Sequence, residues 1–112
     1  MKRWPTLEML VINQAYEEAY GVEATRYVGN PDGVIWGQET AEHFNEADRA
    51  AFKSNGAVTR QETFRNPKTG QMETTTSIKW PVLINGVVVG IAGIITERKM
   101  VGGLALAAPE DQ

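Results

Sequence analysis

His43 is the one histidine of the chain, and Asp48 follows it by five residues. A histidine titrates near neutral pH, ligates metals and haem iron, and moves protons when a neighbouring group orients it. One histidine in a chain without cysteine makes no metal cluster. Haem ligation through His43 is correspondingly disfavoured. Residues five apart do not share a helix face, which needs a spacing of three or four. His43 therefore reads as a helix-surface residue, and Asp48 as a cap or as the partner of a basic side chain. The alternative that keeps both in chemistry is a small cone-shaped α+β enzyme, an isomerase or dehydratase, working through His43 and Asp48.

A second set of residues suits binding rather than catalysis. Trp36, Phe44, Phe52, Met72, Ile78 and Trp80 are large and apolar, and Thr74 and Thr76 share a strand phase with the last three. A ligand pocket has this composition, mostly apolar with a few placed polar groups. A 12.3 kDa domain also needs such side chains simply to fill its core. Arg60, Arg65, Lys68 and Lys79 alternate with Glu62 and Glu73, which reads as a solvated mixed-charge face. Gly29, Gly33 and Gly37 do not stand between a strand and a helix start, so they form no phosphate cradle.

The bulk numbers narrow the field. The 112 residues suit one domain, 42% of them hydrophobic and 22% charged, with a net charge of −3. That balance lacks the basic footprint of a nucleic-acid binder and the polybasic segment of an anionic-membrane binder. The lack of cysteine excludes disulfides, thiolate zinc sites, flavin–cysteinyl adducts and thiol-linked chromophores. A non-covalent small molecule remains compatible with the composition. No apolar run reaches the length of a membrane span, and MKRWPTLEM has no signal-peptide core. The chain reads as cytoplasmic.

The elements that would position these residues follow from pattern. Leu7 to Ile12 is nearly all apolar and predicts a buried strand, with Lys2 to Trp4 a short strand before it. Asn13 is placed to cap a helix over Gln14 to Tyr20, and Gly21 to end it. Tyr16 and Tyr20 then share one face of that helix. Val22 to Gln38 is irregular, with a turn at Asn30-Pro31-Asp32-Gly33 and one apolar helical turn at Val34-Ile35-Trp36. Thr40 to Asn55 is helical in period, as one helix or two, and Gly56 ends it. Strands follow at Val58 to Phe64, Met72 to Trp80 and Val87 to Thr96, the last two joined through Asn85-Gly86. Gly90 and Gly93 mark a close approach to the last strand. Met72, Thr74, Thr76, Ile78 and Trp80 occupy one face of the middle strand, and Glu73, Thr75, Ser77 and Lys79 the other.

Four segments in this order resemble the PAS domain family of sensory modules. They are VINQAYEEAYGV, YVGNPDGVIW, FNEADRAAFKSNGAVTRQETF and SIKWPVLINGVVVGIAGIITERK, together spanning Leu7 to about Lys99. Family members often end in Asp-Ile-Thr-Glu-Arg, where this chain reads Ile94-Ile95-Thr96-Glu97-Arg98. The resemblance implies an α+β fold with a five-stranded antiparallel sheet and helices packed on one side. It implies a sensor domain over 1–99 and a linker or tail over 100–112. It further implies a non-catalytic module that binds a small ligand or forms a homodimer, and relays a change through Thr96, Glu97 and Arg98 to an effector outside this chain. A pure dimerisation module with a filled core is the nearest alternative.

Overall fold

The computed structural model describes residues 1–101 together with the two-residue strand Ala105–Leu106. Four strands form an antiparallel sheet in the order β1-β4-β3-β2: β1 (Lys2–Arg3), β2 (Val58–Arg65), β3 (Met72–Ile84) and β4 (Val87–Met100). β5 (Ala105–Leu106) pairs with β4 at Lys99 and Arg98. Four helices precede β2: α1 (Gln14–Tyr20), α2 (Ala24–Tyr27), α3 (Gly33–Trp36) and α4 (Gln38–Ser54). They cover one face of the sheet, where Phe64 of β2 and Ile95 of β4 join Tyr16, Tyr20, Tyr27 and Phe44 in one buried cluster. Fold class is therefore α+β, with an antiparallel sheet and helices on one side.

The strand expected at Leu7 to Ile12 does not form. Leu7 sits at φ 60, in the left-handed region, and its N–H closes a turn onto the Arg3 carbonyl. Beyond it the backbone divides its bonds between two neighbours. Met9 donates to the Asn30 carbonyl, and Leu10 to the Met1 carbonyl. Only Met9 makes bridges, to Lys2 and to Val28. An apolar run with no continuous partner strand remains an irregular connection, here with Leu7, Met9 and Ile12 buried and Val11 exposed. The sheet thus lacks the fifth strand where it was expected.

Elsewhere the elements run longer than their sequence limits. Residues 40–55 hold one helix, α4, which ends at Asn55 rather than Gly56. Asn55 takes φ 53, a left-handed conformation that asparagine adopts more readily than most residues. Asn85 and Gly86 both have positive φ, as a tight hairpin of this twist requires, and they hold β3 to β4 over nearly their whole length. β4 continues to Met100, beyond the expected Thr96 and into the expected tail, whose remainder from residue 102 lies outside the described residues apart from β5. Gly90 is the close approach: a Cβ there would stand 2.8 Å from the Lys2 carbonyl oxygen of β1.

Candidate functional site

The site begins at the α1 cap. Asn13 Oδ1 accepts the Tyr16 N–H at 2.9 Å, and Gly21 at φ 66 donates to the Glu17 carbonyl at 2.8 Å. Fixed at both ends, this two-turn helix presents Tyr16 and Tyr20 to the sheet, 4% and 0% exposed. The α3 turn adds Trp36, α4 adds Phe44, and β2 adds Phe64. Trp36 is central: its ring lies edge-on to Tyr20 at 5.2 Å, Phe44 at 5.2 Å and Phe64 at 5.0 Å. Edge-to-face packing of this kind suits the ring quadrupoles. The rings leave a residual cavity of about 10 Å³, whose polar wall is Glu62 of β2 and Thr75 of β3. That is room for about one water molecule.

The interior face of β3 is the polar one. Glu73, Thr75, Ser77 and Lys79 are buried against the helices, while Met72, Thr74, Thr76, Ile78 and Trp80 lie on the opposite face, exposed or half-buried. The sequence expectation had the apolar phase as the pocket wall, and the structure reverses it. Glu73, Ser77 and Lys79 each have a partner, so the cost of burying them is met by hydrogen bonds and charge. Glu73 accepts from Arg98 Nε at 2.9 Å, from Asn66 at 2.9 Å and from the Tyr20 hydroxyl at 3.1 Å. Ser77 donates to Glu62 at 3.3 Å. Lys79 pairs with Asp48 at 3.0 Å and donates to the Phe44 carbonyl at 3.3 Å.

A second buried ionic chain enters from the N-terminus. Lys2, 6% exposed, lies between Asp32 and Asp48 and bonds to both. Asp32 in turn accepts from the Tyr27 hydroxyl, which accepts from Trp36 Nε1 at 3.0 Å. Burial would lower the Lys2 pKa, but Asp48 and then Asp32 override it and raise it. Burial would raise that of Asp48, but Lys79 and then Lys2 hold its carboxyl below the usual aspartate range. Burial of Tyr27, with Tyr16 and Asp32 beside it, pushes its hydroxyl far up, so it donates and does not ionise. Glu62 differs. Burial raises its pKa, Lys79 offsets only part of that, and Asp48 adds to it. Its Oε2 is buried without a hydrogen-bond partner, while Oε1 holds Ser77.

Of the residues singled out in the sequence, Trp36 and Phe44 enter the aromatic interior. Phe52 does not; it is 40% exposed and stacks on Trp4 at 4.3 Å between centroids. Met72, Thr74, Thr76, Ile78 and Trp80 stand on the outer face, as above. The exit residues divide. Thr96 and Glu97 are exposed, Thr96 donating to the Thr76 carbonyl and Glu97 pairing with Lys99, whereas Arg98 is buried on Glu73. His43 is exposed on α4 and lines an open cleft of about 310 Å³. Asp48 is directed away, into the lysine pair, so the two do not form an acid–base couple. Tyr20, Tyr27, Glu62, Phe64 and Glu73 were not picked out as site residues. The signal for Tyr20 was present in its four-residue spacing from Tyr16. Nothing local distinguishes Glu62 or Glu73 from solvated carboxylates.

These features define a class: an α+β domain with helices over one face of an antiparallel sheet and an aromatic interior between the two layers. No family model and no curated protein matches the chain. Two solved structures share its fold. One is a Vibrio cholerae VqmA dimer in the absence of target DNA, described with LuxR-type receptors, at TM-score 0.67 and 21% identity over 95% of this chain and 44% of that one. The other is a VqmA–ligand–DNA complex, at TM-score 0.66 and 19% identity over 89% of this chain and 43% of that one. The chain therefore spans less than half the length of the solved proteins it resembles. Among the described residues no helix is long and apolar enough to cross a membrane.

Proposed function

We propose that this chain is a cytoplasmic PAS-type sensor domain, non-catalytic, which holds a small molecule between its helices and the inner face of its sheet and passes the change to an effector outside the chain. The carrying observation is one residue with two contacts. Tyr20 lines the interior cavity, and its hydroxyl donates to Glu73, the carboxylate that holds Arg98 of the outgoing strand. An occupant that displaces Tyr20 acts directly on β4 near its end. The ordered PAS-like segments and the shared fold of two receptor structures support the same reading. One of those receptors is described as a dimer and the other as bound to ligand and DNA, which favours a homodimeric domain whose nucleic-acid contacts, if the whole protein makes them, belong to another part.

Native mass spectrometry of the freshly purified chain tests this. Retention of one small molecule per chain is the expected result, with a visible-region spectrum to identify haem or flavin. A second reading, a dimerisation module with a filled core, is favoured by the cavity of only about 10 Å³. A dimer that carries no small molecule, and whose thermal stability does not respond to a metabolite extract, would establish that reading instead.

A further inference from the structure

The α4–β2 cleft and the small interior cavity share a wall. The cleft, about 310 Å³, lies between α4 and β2 over His43, Glu46, Arg60 and Thr63. Two residues line both spaces, Phe44 and Glu62. Phe44 packs edge-on to Trp36 at 5.2 Å and to Phe64 at 5.5 Å, contacts a ring keeps or gives up by rotation. Glu62 reaches in from β2 with one oxygen on Ser77 and the other buried without a partner. Buried polar atoms are almost always paired, so an unpaired carboxylate oxygen between two cavities is an acceptor in want of a donor. The edge position of β2 leaves room for such access, since among the described residues its other side has no neighbouring strand in the sheet order.

Resting on the sensor reading above, we infer that the α4–β2 cleft is the mouth of the interior cavity, that Phe44 is the ring that must turn to open it, and that Glu62 receives an N–H or O–H donor of the incoming small molecule. The cleft supplies volume that the empty interior does not. A small ligand enters beneath α4, places its donor on Glu62 Oε2, and takes the volume beside Trp36 that the Phe44 ring vacates on turning. Selectivity then comes from the carboxylate: an analogue without a donor leaves Oε2 unpaired and loses that hydrogen bond. The other charged groups facing this site are Arg60 and Glu46, which pair with each other across the cleft at 3.7 Å, and Lys79 and Asp48 beneath it.

The test uses the whole chain, labelled for amide NMR, and two probes of matched shape, phenol and its methyl ether anisole. Phenol is expected to shift the amides of Phe44, Ala47 and Thr63 and to bind on the order of tenfold more tightly than anisole, the worth of about one net hydrogen bond. Glu62→Leu is expected to abolish that preference. Phenol and anisole binding equally would overturn the role of Glu62. Nuclear Overhauser contacts from phenol to the Phe44 ring and the Glu62 methylene are expected in the unmodified protein, which needs no variant to fold. Contacts only to Trp80 and Ile94, on the outer face, would overturn the entry route. Those results leave the sensor reading standing, because that reading fails separately, when the purified chain carries no molecule and answers to none.

Discussion

Arg98 of β4 holds both carboxylate oxygens of Glu73 on the neighbouring strand β3, Nε to Oε2 at 2.9 Å and the terminal nitrogen to Oε1 at 3.0 Å. The pair is two-pronged, the arrangement in which arginine binds carboxylate best. It lies under the Tyr20 ring, whose centroid is 5.0 Å from the guanidinium carbon. Glu73 is 1% exposed, so these partners offset the cost of burying a polar group. The end of β4 is thereby tied to the aromatic interior by one ion pair.

Arg98→Ala is expected to destabilise the domain by about 3 kcal/mol, because it strands a buried carboxylate. The paired replacement Glu73→Gln with Arg98→Met should recover much of that loss. Urea unfolding of the two variants beside the unmodified protein measures it. Equal losses in the single and double variants would show that packing, and not charge, holds β4.

Lys2 and Asp48 contribute to opposite ends of the pH profile. The folded-state pKa of Asp48 lies below its ordinary 3.8, so its contribution is present above that value and lost as pH falls through the folded one. For Lys2 the folded pKa lies above its ordinary 10.5, so its contribution is present below that value and lost as pH rises through the folded one. Lys2→Met leaves Asp32 and Asp48 sharing fewer cations, and is expected to cost about 3–5 kcal/mol at neutral pH. It should also lessen the alkaline loss, to which the buried Tyr16, Tyr20 and Tyr27, all with raised pKa values, continue to contribute. Unfolding free energies against pH for both proteins check the two limbs.

Local chemistry carried the elements well. The Asn13 cap, the Gly21 stop and the Asn85-Gly86 hairpin depend on a few adjacent residues, and each stands where the sequence places it. The phase of β3 did not follow. Its hydrophobic alternation favours Ile78 and Trp80 as the inner face, and burial of Glu73 and Lys79 instead depends on Arg98 and Asp48, which are remote in sequence. Long-range ion pairs leave no local period. Leu7 to Ile12 shows the same limit: its composition is that of a strand, but strand pairing needs a partner, and Leu7 turns the chain away from one.

Asn13→Ala is expected to cost about 1 kcal/mol, the usual loss of an N-cap. The bond to Tyr16 is direct, so α1 should fray at the turn that positions Tyr16 and Tyr20. Thermal unfolding gives the stability change, and tyrosine fluorescence reports the rings. A ligand-binding defect with unchanged stability would instead place Asn13 in direct contact with the bound molecule.

Gly90→Ala tests the docking of β1. The added carbon would stand 2.8 Å from the Lys2 carbonyl oxygen, a backbone atom that cannot swing aside. Relief requires β1 to move, and Lys2 with it. Overpacking of this kind costs about 1–3 kcal/mol. Hydrogen exchange is expected to rise at Trp4, whose N–H bonds to the Val89 carbonyl, before it rises in β2. Uniform protection across both would show that the N-terminal strand absorbs the change without separating.

Glu62 gives a pH signature of opposite sign. Its folded pKa is raised above the ordinary 4.5 by burial, so the folded protein binds a proton more tightly there than the unfolded chain does. Its contribution to stability is therefore fully present below the ordinary value and is lost as pH rises through the raised one. This runs opposite to Asp48, and the two limbs are separable because they fall on opposite sides of the ordinary carboxylate range. Glu62→Gln retains an oxygen for Ser77 and does not titrate. Its stability is expected to stay flat over the interval in which that of the unmodified protein declines. Parallel curves for the two proteins would mean that Glu62 is solvated in solution and that its Oε2 is not the unpaired acceptor on which ligand selectivity depends.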